Sequence, residues 1–138
     1  MAGWGWRIYE FAENSRSVIG AWLVAKGVST RDRAQLQFKI DALALYGPDL
    51  PAGLLAGPIA SKRNRKMQSH IYKLRVNGEK ALRPLLCKGP LDMQGEFTLL
   101  LGAIEVNRKL DVDVEEAEER RSIVIRDPSR RLRNGRYK

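Results

Sequence analysis

The sequence is poor in the residues that build covalent and metal-bound scaffolds. Among 138 residues it has one cysteine, Cys87, and one histidine, His70. A disulfide framework needs paired cysteines and a zinc site needs several cysteine or histidine ligands, so both classes are excluded. We expect Cys87 to be a buried structural residue and His70 to lie at the surface or the edge of the core. No metal and no cofactor are expected.

Long hydrophobic runs are also missing. No apolar stretch approaches the ~18 residues that a membrane span needs. The first residues, Met1–Trp6, lack the basic and apolar regions of a secretory signal. We therefore expect a cytoplasmic protein with no membrane partner.

Acidic residues are fewer than basic ones, and the imbalance is local. Lysine and arginine number 25 against 16 aspartate and glutamate, which gives a net charge of +9 and a pI near 10.1. Residues 61–88 contain nine basic side chains and a single acidic one, Glu79. Residues 126–138 contain six basic side chains and Asp127. Such clusters are common on solvated surfaces, but this density favours a polyanionic partner, with nucleic acid first.

Hydrophobic periodicity and turn residues predict a sequence of seven elements. They are a strand over 6–11, a helix from Asn14 or Ser15 to about Lys26, a helix over 29–46, strands over 69–76, 80–87 and 97–104, and a helix over about 113–125. This order, β-α-α-β-β-β-α, predicts one α+β domain over residues 1–126. A small antiparallel sheet would pack against a helical hairpin and a C-terminal helix. We expect the basic tail, residues 127–138, to be flexible.

The second predicted helix has one apolar stripe at helical spacing. Ala34, Phe38, Ala42 and Leu45 form this stripe. The pattern is typical of a helix that packs on a core.

The turn between strands 69–76 and 80–87 decides which side chains share a face. A two-residue Asn77-Gly78 loop would mix polar and apolar residues on both faces. A three-residue loop that includes Glu79 separates them and sets Lys73 opposite Arg83. Like charges directly opposite each other are destabilising. The favoured register therefore predicts Lys73 and Arg83 on one face, either bridged by an anion or splayed into water.

Several segments together resemble a known toxin superfamily. They are Ile71–Gly78, Leu82–Leu86, Phe97–Ile104, Asn107–Lys109 and the helix containing Glu116–Arg121. They are similar to the RelE/HigB toxin superfamily, and most of all to its phage-derived RelE-like branch. The resemblance implies a small twisted antiparallel sheet with helices against it. It also implies metal-independent cleavage of mRNA on the ribosome and, as partners, RNA or the ribosome and an antitoxin protein.

The resemblance also assigns roles to individual residues. In the family, basic side chains hold the scissile phosphate while the RNA 2′-OH attacks it. Lys73, Arg83 and Arg108 match those catalytic positions, and guanidinium groups suit the task because they bind phosphate oxygens in pairs. The further cations predicted to bind RNA are Arg75, Lys109, Arg130, Arg131 and Arg133.

One departure from the family pattern bears on activity. RelE-type members have a tyrosine near the start of the last helix as a general acid or base, and Val114 occupies that position here. Lys109, Glu105 or an acceptor on the RNA would have to replace it, unless Tyr137 swings in from the tail. Enzymatic activity is therefore left open. The alternative is a non-catalytic ParE-like or phage accessory protein that binds a host protein or nucleic acid.

Overall fold

The computed structural model describes residues 5–51, 53–63, 66 and 68–137. The helices are α1 (Val18–Ala25), α2 (Thr30–Tyr46) and α3 (Val114–Arg126). The strands are β1 (Arg7–Glu13), β2 (Arg16–Ser17), β3 (Leu55–Ala56), β4 (Ile71–Leu74), β5 (Val76–Asn77), β6 (Ala81–Leu82), β7 (Leu85–Lys88), β8 (Glu96–Leu101), β9 (Glu105–Val106), β10 (Lys109–Leu110) and β11 (Arg131–Arg133). Short 3₁₀ turns follow α2, at Gly47–Asp49, and α3, at Pro128–Arg130.

One main sheet organises the chain. Its strand order is β11-β1-β8-β7-β4-β3, and β2 adds to β1. The β1–β8 pair is parallel and the other pairs are antiparallel. Two small separate hairpins are formed by β5–β6 and by β9–β10. The fold is thus a mixed α+β domain with a mostly antiparallel sheet and three helices, as the sequence predicts at this level.

The predicted order of elements is wrong in its detail. The two predicted hairpin strands are each divided, into β4 and β5 and into β6 and β7, and β2, β3, β9, β10 and β11 are additional. The Arg75 amide donates to the Leu54 carbonyl at 2.7 Å, in the register of the β3–β4 pair. The division between β6 and β7 has a local cause. Pro84 has no amide hydrogen for a ladder bond.

Alternating side chains of the sheet enter two hydrophobic clusters. Leu74, Leu86 and Leu99 pack with side chains of α1 and α2. Ile71, Leu85, Cys87 and Leu100 pack instead with Val114, Ala117 and Val124 of α3. The helical hairpin and the C-terminal helix therefore cover opposite faces of the sheet. Among the helices of the described ranges, none is both long and apolar enough to cross a membrane.

The two large side chains of the apolar stripe predicted for α2, Phe38 and Leu45, point outward, whereas Ala42 packs against the core. Phe38 and Leu45 are each 65% exposed, whereas Leu36 and Leu43 are fully buried. Apolar residues occupy both sides of this helix, so helical spacing alone does not identify the buried side. The prediction that the stripe at Phe38 and Leu45 meets the core is corrected by this finding.

The C-terminal segment, which the sequence predicts to be flexible, pairs with the sheet in this structure. β11 pairs antiparallel with β1, with Phe11 opposite Arg131. Beyond it, Asn134 Nδ2 donates to the buried Glu10 carboxylate at 2.8 Å, and the Tyr137 hydroxyl donates to the same group. Two features hold this segment. The edge of β1 provides backbone pairing, and the buried Glu10 carboxylate accepts hydrogen bonds from the segment. Lys138 lies outside the described residues.

Candidate functional site

The turn between β5 and β6 has a register that differs from both predicted ones. Asn77 pairs with Ala81, so the loop is Gly78–Lys80, and Lys73 lies opposite Leu85 rather than Arg83. The turn is held from outside the hairpin, because the Glu79 amide donates to Asp32 of α2 at 2.9 Å. This long-range contact has no signal in the local sequence.

Lys73 and Arg83 nevertheless meet at one carboxylate. The favoured register is shifted by two residues, and such a shift preserves the face on which each side chain lies. Lys73 Nζ lies 3.4 Å and Arg83 Nε lies 3.5 Å from the same oxygen, Oε1 of Glu105. The anion between these two cations is therefore a carboxylate of the chain itself.

The charge state of Glu105 is set by these neighbours. Burial by itself raises the pKa of its carboxyl group, but the positive charges of Arg83 and Lys73 outweigh burial. The net result is a pKa below the ordinary value of 4.5. Glu105 is thus an anion at neutral pH, and its low pKa makes it a weak general base.

The guanidinium group of Arg83 is held by hydrogen bonds to the β5–β6 hairpin. Its side chain is 7% exposed. Nη1 donates to the Leu82 carbonyl at 2.9 Å and to the Val76 carbonyl at 3.4 Å, and Nη2 donates to Asn77 Oδ1 at 2.9 Å. The remaining nitrogen, Nε, is buried; among the described residues it has no hydrogen-bond partner and lies near Glu105 as an ion pair. Arg83 thus has a structural role in addition to the catalytic one predicted from the sequence.

The β9–β10 hairpin brings two more cations to this region. Arg108 and Lys109 are exposed at its tip, and Asn107 and Arg108 form the turn with φ of 52° and 65°. Three residues of chain span at most about 11 Å, so the Arg108 backbone stays within that distance of Glu105. We call the group Lys73, Arg83, Glu105, Arg108 and Lys109 the hairpin site. Lys62 lies beside it, since its Nζ donates to the Leu110 carbonyl at 2.6 Å.

The other cations predicted to bind RNA lie elsewhere or are engaged in the fold. Arg75 is partly buried between β4 and β5. Arg131 pairs with the buried Glu96 at 2.5 Å and stacks on the Tyr9 ring at 3.7 Å. Arg130 donates from Nε to the Ala12 carbonyl at 3.1 Å, while Arg133 is exposed. In the sheet, β11 is four strands from β4, or about 19 Å at the usual spacing. The tail arginines are therefore not part of the hairpin site.

The positions considered for proton transfer are mostly engaged in the core. Val114 is 2% exposed and packs in the α3 cluster. Tyr137 is bound at Glu10, where burial above all raises the pKa of its hydroxyl. Cys87 is fully buried, and burial raises the pKa of its thiol to about 12, as expected for a structural cysteine.

His70 is exposed at the start of β4. Its Nδ1 lies 3.1 Å from Glu118 of α3. This contact joins the helix to the sheet, in agreement with the surface position predicted for His70.

Comparison with known proteins adds no relative. No family model, no curated protein and no solved structure matches the chain. Within the described ranges, no group of three or more histidine, cysteine, aspartate or glutamate side chains is placed to hold a metal ion. The chemistry of the hairpin site therefore has to be argued from its own residues.

Proposed function

We propose that this protein is a toxin-like RNA-binding protein of the RelE/HigB kind, and that it binds RNA phosphates at the hairpin site. One observation carries the proposal. Lys73 and Arg83, which the resemblance assigns to the scissile phosphate, reach the same point in space from two different strands. That point lies at the base of the hairpin whose tip holds Arg108.

The charge of the site fits a phosphate ligand. Two cations, Lys73 and Arg83, contact one carboxylate, and Arg108 and Lys109 of the adjoining hairpin are exposed without an ion-pair partner among the described residues. Phosphate contacts supply most of the affinity of proteins that bind nucleic acid without regard to sequence. A protein with a net charge of +9 also gains in association rate with a polyanion.

Cleavage of the RNA is the enzymatic form of this proposal. The 2′-oxygen of a nucleotide would attack the adjacent phosphorus, and the bond to the 5′-oxygen of the next nucleotide would break. The products are a 2′,3′-cyclic phosphate and a 5′-hydroxyl end. Lys73 and Arg108 would stabilise the charge that develops on the phosphate oxygens. Because Glu105 is a weak base, the proton of the 2′-OH requires an acceptor on the RNA or the ribosome, and the leaving 5′-oxygen takes a proton from water.

The test is induced expression in a bacterium with mapping of mRNA 5′ ends and recovery of bound RNA. We expect new 5′ ends with the wild type and a loss of about 10²–10³ in cleavage rate for Arg108→Ala, the usual effect of one lost charge-stabilising group. Lys26→Ala, which removes an exposed cation at the end of α1, is the control and should cleave normally. RNA recovery without new ends would support binding alone. If no new 5′ ends appear and no RNA is recovered, the result contradicts the proposal.

A second candidate function is protein binding without RNA cleavage, as in a ParE-like or phage accessory protein. It is favoured by the large apolar side chains that α1 and α2 expose: Val24 is 68% exposed, and Phe38 and Leu45 are each 65% exposed. Growth arrest with DNA damage signalling and intact translation would select this candidate. Growth arrest with blocked translation would select the first.

A further inference from the structure

The hairpin site holds a carboxylate where the proposed function needs a phosphate. We propose that Glu105 is a built-in competitor, which occupies the phosphate position between Lys73 and Arg83 and has to move out before an RNA phosphate binds there. The inference rests on the proposed function for its ligand. Its anion site is testable without RNA.

The geometry of the contact supports replacement by a larger anion. Lys73 and Arg83 share a single oxygen of Glu105, at 3.4 Å and 3.5 Å. Charge-assisted hydrogen bonds from nitrogen to oxygen are usually about 2.7–2.9 Å long. One planar carboxylate therefore satisfies neither cation well. A phosphate group presents oxygens in several directions, so each cation would have an oxygen of its own.

Arg83 supplies an independent observation. The residue is 5% exposed, and its Nε has no hydrogen-bond partner in the part of the chain that the structure describes. Buried polar groups are nearly always hydrogen-bonded, and an exception needs an explanation. Its other nitrogens are fixed by Val76, Leu82 and Asn77, so the guanidinium keeps its orientation when the carboxylate leaves. Nε then remains 3.5 Å from the position that Glu105 Oε1 occupies.

Glu105 is placed on an element that can release it. It is the first residue of β9, and its hairpin contains only two paired positions, Val106 with Lys109 and Glu105 with Leu110. Hairpins this short are marginally stable by themselves. The start of the hairpin is anchored next to Glu105, because the Ile104 amide donates to Asp111 Oδ1 at 2.8 Å. The Glu105 side chain is 23% exposed, so rotation toward solvent moves it out of the site while the strand stays in place.

The experiment compares Glu105→Gln with Glu116→Gln. Both substitutions remove one negative charge, but Glu116 is half-exposed on α3 and, among the described residues, pairs only with Arg120 at 3.6 Å. The first readout is the melting temperature in a series of inorganic phosphate concentrations, at ionic strength matched with chloride. We expect a saturable rise for Glu105→Gln, and no such rise for the wild type or for Glu116→Gln.

The second readout is binding of single-stranded RNA against salt concentration. Because one phosphate would occupy the freed position, the slope for Glu105→Gln should steepen by up to about 0.7. Its gain in affinity over the wild type should therefore shrink up to about 2.6-fold between 50 and 200 mM salt. The slope for Glu116→Gln should equal that of the wild type.

The outcomes separate this inference from the proposed function. If Glu105→Gln shows no phosphate response and has the RNA slope of Glu116→Gln, Glu105 is not a competitor, even where the wild type binds RNA. If Glu105→Gln gains the phosphate response but no variant binds RNA, the anion site stands and the proposed function fails. If Glu105→Gln does not fold, Glu105→Asp keeps the charge but shortens the side chain. An intermediate phosphate response of this variant supports the inference, and a response equal to that of the wild type overturns it.

Discussion

Arg83 and Glu105 form an ion pair in which the guanidinium is buried and the carboxylate is partly exposed, with Nε and Oε1 separated by 3.5 Å. The two residues belong to different parts of the chain: Arg83 follows β6, and Glu105 begins β9. Their contact joins the segment after β6 to the exposed β9–β10 hairpin. Arg83 therefore contributes to the fold and, in the proposed function, to anion binding.

Arg83→Ala should destabilise the protein strongly. The substitution leaves the Leu82 carbonyl and the Asn77 side chain without their donor and leaves Glu105 with Lys73 alone. We expect a loss of about 3 kcal/mol in the free energy of unfolding, measured by urea denaturation. Arg83→Lys should recover only part of it, because an ammonium group lacks the planar fork. Arg108→Ala is the control, with an expected change within about 0.5 kcal/mol. A stable Arg83→Ala protein would contradict the structural role.

The contribution of Glu105 should depend on pH in a defined direction. Its folded pKa lies below the ordinary value of 4.5 because Arg83 and Lys73 outweigh burial. A lowered carboxyl pKa stabilises the fold above the unfolded value, and this stabilisation is lost as pH falls through the folded pKa. The difference in unfolding free energy between the wild type and Glu105→Gln should therefore shrink as pH falls from about 5 to about 3. A constant difference over this range would show that the two cations do not act on Glu105.

The sequence predicts elements better than it predicts their partners. Local sequence patterns predict β1, the helices α1 and α2, the central strand β8 and α3. Local sequence does not predict the register at Lys73, because Asp32 of a distant helix anchors the turn. The two-residue strands carry too few side chains for a period, and the pairing of β11 depends on the edge of β1.

The same contrast holds for the site. Like-charge repulsion between Lys73 and Arg83 predicts either a bridging anion or side chains splayed into water, and local sequence neither decides between the two nor identifies Glu105. Burial of Arg83 is likewise a tertiary property, since an arginine within a basic run is normally expected at the surface. The docking of Tyr137 at Glu10 depends on contacts between the two ends of the chain.

The free energy of unfolding should depend strongly on Arg131, which holds the C-terminal segment on the sheet, and little on Arg133 of the same strand. Arg131 pairs with Glu96, whose side chain is 2% exposed, and removal of one partner of such a pair leaves a buried charge. We expect Arg131→Ala to lose about 3–5 kcal/mol of unfolding free energy. Arg133→Ala, on the same strand but exposed, should change it by less than about 0.5 kcal/mol. Equal, small effects of both substitutions in urea denaturation would mean that the segment is not held as described.

Two leucines of α2 offer a matched test of which side of the helix is buried. Leu43 is fully buried and Leu45 is 65% exposed. Leu43→Ala should cost about 2–5 kcal/mol by leaving a cavity, whereas Leu45→Ala should cost about 0.5 kcal/mol or less. The measurement is the midpoint and slope of urea unfolding for the two variants. A larger effect at Leu45 would restore the stripe predicted from the sequence as the core-facing side.

The central claim, RNA binding at the hairpin site, is tested most directly by the salt dependence of single-stranded RNA affinity. The variants to compare are Arg108→Ala with Lys109→Ala, and Arg16→Ala with Lys26→Ala, which remove two exposed cations each. If both hairpin cations contact phosphates, the first pair should reduce the slope of log affinity against log salt by about 1.4. The control substitutions, at Arg16 and Lys26 on either side of α1, should leave the slope unchanged. Equal slopes for the hairpin pair and the wild type, or a slope lowered only by the control pair, would contradict the account.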